Sequence, residues 1–313
     1  MSASTTKALA TDREESMVST PNSLEPVRIF VAATPAEWLP MKVLEFSIRE
    51  QTDLPVELSA IYTYSRAIPT PKDPANRART PFSFQRFLIP ELCNFQGKAI
   101  YMDADMQVFQ NIESLWNSPF NGSDLQTVGS AVGERRSQFS VMLLDCAQLQ
   151  WRVEEIVAQL DNGTLDYQTL MFEMKVARSI SYEIPEKWNS LEYFKAEHTC
   201  LLHYTDMNIQ PWTSLNNPNG HLWVACLRRA LEQGFITEDQ LHHEVAQRHV
   251  RPSLISQVSS AAATPWKPTM TDIWRELCFT PPFYTITASS KGAIRTGLSK
   301  LSRAMHLMKL VVA

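Results

Sequence analysis

Apolar positions along the chain fall into two spacings that take turns. Val27-Arg28-Ile29-Phe30-Val31 is a short β-branched and aromatic run that predicts a first strand, and Val43, Leu44 and Ile48 follow at helical spacing. Pro55-Val56-Glu57-Leu58 with Ile61-Tyr62 predicts a second strand, and a proline-punctuated loop runs from Ile68 to Pro81. The segment from Phe82 to Leu92 reads as a helix broken near Pro90, because an interior proline removes a backbone donor. Lys98 to Met102 and Ser140 to Leu144 read as buried strands. Leu149, Val153, Ile156, Val157 and Leu160 read as a helix that Gly163 stops. Strands alternating with helices imply a mostly parallel α/β sheet covered on both faces. Beyond Trp212 the pattern is mainly helical. Thr237 and Gln240 form a capping-box signal before Leu241, and the Ser/Ala/Pro cluster from Ser253 to Pro268 reads as a linker or surface loop. The expected organisation is therefore a segment without fixed structure over 1–25, an α/β domain over 26–215 and a helical region over 216–313.

Composition narrows the picture. The chain has 313 residues, a net charge of −4 and five cysteines. So small a charge implies no general polyanion binding, hence no nucleic-acid partner. The cysteines are scattered and no CxxC pair occurs, which argues against a disulfide framework or a zinc site. No signal-peptide core or spanning apolar run is present, so a cytoplasmic location is expected. Toward the C-terminus, Ile294, Leu298, Leu301, Met305 and Met308 recur in steps of three and four among Lys291, Arg295, Lys300, Arg303 and Lys309. Such a basic amphipathic segment, residues 291–312, either packs on the core or makes a peripheral contact with the cytoplasmic face of a membrane.

The chemistry concentrates in two places. In Tyr101-Met102-Asp103-Ala104-Asp105 an apolar strand delivers two carboxylates, one residue apart, to its carboxyl end, where open α/β sheets bind ligands. Two hard oxygen donors so placed suit Mg²⁺ or Mn²⁺, and such an ion can hold a diphosphate. Taken alone, the same aspartates would serve equally well to cap the next turn. In Leu201-Leu202-His203-Tyr204-Thr205-Asp206, followed by Gln210-Pro211-Trp212, His203 ends another apolar run and can add a nitrogen ligand. Gln107 stands where aspartate-nucleophile phosphatases need Thr. His242-His243-Glu244 is a poor metal site, since adjacent helical residues point about 100° apart. Glu134-Arg135-Arg136 reads first as a solvated charge cluster, and Trp188, Trp212, Trp223 and Trp266 read first as core.

Taken together, residues Phe82 to Trp116 and His203 to Trp212 resemble the retaining family-8 glycosyltransferases of the GT-A fold, with residues 27–48 resembling their first strand and helix. The resemblance implies a GT-A-like fold and transfer of a hexose-type sugar from a nucleotide sugar, uridine-linked by expectation, with Mn²⁺ or Mg²⁺. The acceptor would be a saccharide or lipid-linked saccharide. It implies that Asp103, Asp105 and His203 bind the metal, that Arg86 contacts the donor's sugar or phosphates, and that Ala32, Ala33 and Thr34 line the base pocket. Asp103 and Ala104 would lie against the donor, and Gln168 with Asp166 would face the transferred sugar. The chain departs from the family pattern at Asp206, at Gln210, which replaces a Lys before Pro-Trp, at Tyr167, and at Ser140-Val141. Two rival readings are a sugar nucleotidyltransferase, disfavoured because Val31-Ala32-Ala33-Thr34-Pro35 lacks a glycine-rich phosphate loop, and a non-catalytic nucleotide-sugar binder.

Overall fold

The computed structural model describes residues 25–129, 139–260 and 266–283. The amphipathic segment 291–312, the cluster at 134–136 and residues 1–24 lie outside them. The strands are β1 (Val27–Ala32), β2 (Val56–Ala60), β3 (Lys98–Asp103), β4 (Met106–Val108), β5 (Leu125–Val128), β6 (Val141–Asp145), β7 (Ile180–Ile184), β8 (Ser190–Leu191) and β9 (Leu201–His203). The helices are α1 (Trp38–Arg49), α2 (Ile89–Leu92), α3 (Glu113–Trp116), α4 (Val153–Asp161), α5 (Tyr167–Phe172), α6 (Gly220–Glu232), α7 (Glu238–Ala246), α8 (Leu254–Ser259) and α9 (Met270–Cys278).

Six strands form the main sheet in the order β2-β1-β3-β6-β5-β7. Both β2 and β3 run parallel to β1, and β7 runs parallel to β5, while β6 is antiparallel to its two neighbours. Five strands thus share one direction, and the mostly parallel α/β sheet expected from the sequence is the sheet observed. Alternation along the strands feeds two cores. Phe30, Tyr101, Met142 and Leu144 face a layer containing residues of α2, α4 and α5. Ile29, Val31, Ile100, Met102 and Leu143 face α1 and α3. The other side of α1, through Leu39, Val43 and Phe46, packs against α6, α7 and α8 in a third cluster.

A second sheet, β4-β9-β8, adjoins the first. Only Ala104 and Asp105 separate β3 from β4, so the chain passes from one sheet into the other through Asp103-Ala104-Asp105. In the second sheet Met106 pairs with His203, and the Tyr204 N–H donates to the Asp105 carbonyl at 2.9 Å.

Two local expectations change. Residues 85–88 form a 3₁₀ turn that leads into α2, and Pro90 sits at the N-terminal end of α2, where its missing N–H costs nothing, so it does not break a helix. The Ser253–Pro268 cluster contains α8, anchored by buried Leu254 and Val258. Trp188, Trp212 and Trp223 are buried, as core residues are. Among the described residues no helix is long and apolar enough to cross a membrane, and all five cysteines are free.

Candidate metal and donor site

Asp103, Asp105 and His203 meet at the carboxyl end of β3, with ligand atoms all within 4.8 Å of one another. The His203 Nε2 lies 3.0 Å from Asp105 Oδ1 and 4.0 Å from Asp103 Oδ2. On its other side the ring is fixed by Asn189, whose Oδ1 stands 2.9 Å from Nδ1. An amide oxygen only accepts, so Nδ1 carries a hydrogen and Nε2 faces the carboxylates. Two acceptors 3.0 Å apart need a positive charge between them, either a proton or a cation. Burial pushes the His203 pKa down, but Asp105 and then Asp103 outweigh it and raise it above the usual imidazole value. Two carboxylate oxygens, an imidazole and an outer amide that fixes the ring make a donor set that fits Mn²⁺ or Mg²⁺.

Each aspartate has a different companion. Arg86, buried on the 3₁₀ turn, places NH2 3.6 Å from Asp103 Oδ1 and donates from NH1 to the Phe139 carbonyl at 3.0 Å. Its guanidinium lies 4.6 Å over the Tyr101 ring. The Tyr101 hydroxyl donates to Asp103, and burial, with Asp103 adding, keeps that phenol protonated, its pKa well above the usual value despite the opposing charge of Arg86. Asp105 instead receives the neutral amide of Gln210, whose Nε2 donates to Asp105 Oδ2 and to the Tyr204 carbonyl, both at 3.0 Å.

Next to the cluster, β1 ends in the 32–34 segment. Gln85 clamps it: the Ala33 N–H donates to Gln85 Oε1 at 3.1 Å, and Gln85 Nε2 donates to the Ala33 carbonyl at 3.0 Å. Both backbone groups of Ala33 are thus bonded, and the residue is fully buried behind the cleft wall. The Thr34 N–H donates to Glu37 Oε2 at 2.7 Å, and its hydroxyl does so at 3.1 Å. Burial, with smaller pushes from Asp105 and Asp103 against the bonds from Thr34, raises the Glu37 carboxyl to about 7. A cleft of about 90 Å³ opens here, bounded by Thr34, Glu37, Arg79, Gln210 and Trp212.

The structure brings Arg86, Asp103, Asp105 and His203 together and sets Thr34 on the wall of the adjoining cleft. Asp166 and Gln168 lie on a separate element. Asp166 is exposed and caps α5, its Oδ1 accepting from the Thr169 N–H at 2.8 Å. That bond, more than any other cause, lowers its pKa. Gln168 is exposed on the first turn of α5. The link from α5 to the cleft is Tyr167, whose ring packs 6.2 Å from that of Phe84 and carries Arg79 at 4.4 Å. Sequence reading missed Asn189, Gln85 and Glu37. Only Glu37 had a signal, as the acid three residues after Thr34.

The fold and the site together define an α/β protein with a metal-ready carboxylate–histidine cluster at the carboxyl edge of its sheet. Residues 41–152, which include both aspartates and Arg86, match the model of Glycosyl transferase family 8. Protein CDI of Arabidopsis thaliana is 33% identical over 99 residues, which are 29% of this chain and 36% of that protein. The chain therefore spans about a third of the length of this curated relative. Among solved structures, an active-site mutant of LgtC is 11% identical, covering 64% of this chain and 95% of that one, with a TM-score of 0.48. The bifunctional WbbM is 12% identical, covering 66% and 50%, with a TM-score of 0.47.

Proposed function

We propose that the protein is a metal-dependent glycosyltransferase that moves a hexose-type sugar from a nucleotide sugar, with uridine diphosphate as the donor nucleotide, to a hydroxyl of a saccharide or lipid-linked saccharide. The observation that carries this reading is the convergence at the sheet edge of His203 with Asp103 and Asp105, the two aspartates lying inside the family-8 match. These three residues would hold Mn²⁺ or Mg²⁺, which supplies Lewis-acid neutralisation of a diphosphate leaving group. Thr34 would shape the wall for the nucleoside, backed by the buried, clamped Ala32–Ala33 segment. Arg86 orients Asp103, and Asp103 and Ala104 present the carboxylate edge to the donor. Gln168, at the start of α5, would contact the transferred sugar.

In the transfer, the bond from the anomeric carbon to the diphosphate oxygen breaks and the bond to the acceptor oxygen forms. Retention is the favoured outcome. An inverting enzyme needs a protein base on the opposite face, and the helix-capping carboxylate of Asp166, with its lowered pKa, is a weak one. With retention the departing phosphate takes the acceptor proton. Exposed Met270 and Trp274 on α9, just ahead of the basic amphipathic segment 291–312, support a peripheral membrane contact in the cytoplasm.

A panel of nucleotide sugars tests the reaction, with Mn²⁺ or EDTA and beside Asp105→Ala. The expected result is metal-dependent release of nucleotide from a uridine-linked donor. In the variant it should fall by about a hundredfold or more, as for loss of a group that holds transition-state charge. Binding of the donor without turnover toward any acceptor would instead favour a non-catalytic binder.

A further inference from the structure

The cleft lies beside the aspartates. Glu37 lines it, Gln210 links its wall to Asp105, and the cations nearby are mostly committed. Arg86 is buried on Asp103 and the Phe139 carbonyl, and His203 is held between Asn189 and Asp105. His249, on the cleft wall, is 2.8 Å from Glu244. The side chain that reaches the cleft from the 210 position is the neutral Gln210, bonded to Asp105. Arg79 differs from all of these. It lines the cleft and is exposed, and among the described residues no carboxylate lies within ion-pair distance of it. Its guanidinium is nonetheless placed, 4.4 Å over the Tyr167 ring and 5.8 Å from the Phe172 ring. Stacking orders the plane of the group while leaving its N–H donors free for an anion.

We propose that Arg79 is the phosphate-binding cation of this cleft: stacked on Tyr167, it takes the oxygens of a nucleoside diphosphate that the metal ligands do not face. This rests on the nucleotide-sugar reading above. It also ties the recognition of phosphate to α5, since the residue next to Tyr167 is Gln168.

The test is calorimetric titration of the full chain with uridine diphosphate, uridine and Mn²⁺ alone, for the native protein, Arg79→Gln and Arg79→Lys. Loss of a charge-assisted, two-pronged contact should weaken uridine diphosphate roughly tenfold to hundredfold in Arg79→Gln. Binding of uridine and of Mn²⁺ alone should not change, and Arg79→Lys should recover part of the loss. Diphosphate affinity within twofold of native in Arg79→Gln overturns the proposal and leaves the nucleotide-sugar reading standing. An equal loss for uridine also overturns it, because the residue would then serve the wall of the pocket and not the phosphates. If the native protein binds no uridine, guanosine or adenosine diphosphate with Mn²⁺ present, the nucleotide-sugar reading fails, and the proposal fails with it.

Discussion

The two flanks of the aspartate pair are built on opposite terms. On one, Asp103 faces a buried guanidinium and a buried phenol; on the other, Asp105 faces the neutral amide of Gln210 and the imidazole of His203. A charged companion fixes a carboxylate strongly but becomes a liability when removed, because the charge left behind stays buried. A neutral companion orients its carboxylate more weakly and leaves most of the negative charge available to an ion. The pair thus divides the work. Asp103 is held by a permanent cation, and Asp105 by an amide and by an imidazole that can itself turn to an ion.

The sharpest way to break this contrast is Arg86→Met. It strips Asp103 of its cation and should lower stability by about 3 kcal/mol in denaturant titration. A loss below 1 kcal/mol would mean that the ion pair, 3.6 Å long, anchors little. Next in size is Glu37→Gln. Burial raises the native carboxyl to about 7 in the fold from an ordinary value of 4.5. Between those values the folded state keeps a proton that the unfolded state releases, so stability falls as pH rises from about 4.5 to 7 and stays lower above. In EDTA the variant should flatten this decline by about 2 kcal/mol, after allowance for the solvent exposure of a half-buried group. An unchanged pH profile would show that the fold does not raise the Glu37 carboxyl. The smallest effect is expected for Gln210→Ala, about 1 kcal/mol for a neutral donor lost from a carboxylate. A cost as large as that of Arg86→Met would erase the distinction between the two flanks.

Some of this was legible in the chain. Asp103, Asp105 and His203 each end an apolar run, and because a strand places its last residue at the sheet edge, such a run carries a prediction of position. The amphipathic period of α1 and the capping box of α7 were local signals of the same kind. Leu125–Val128 escaped notice because all four residues of β5 are buried, so its polar Gln126 and Thr127 mimic a loop. The direction of β6 has no local signature, since an antiparallel strand in a mostly parallel sheet is set by its connections. Asn189 reaches His203 only through the pairing of β8 with β9, a contact across the fold. Gln210 showed in the sequence as a missing charge; its bond to Asp105 required the turn after β9 to be closed.

One feature of the architecture reaches beyond the site. The strand that carries the aspartates changes sheets between them, and the histidine comes from the second sheet. Whatever cation occupies the cluster therefore acts as a rivet across a joint, and its occupancy and the mutual alignment of the two sheets are one linked equilibrium. A cation present at a hundred times its dissociation constant would add about 2.7 kcal/mol to the folded state. The small sheet, only three short strands wide, gains the most from that rivet, so for this protein the supply of divalent ions bears on mechanical integrity as well as on chemistry.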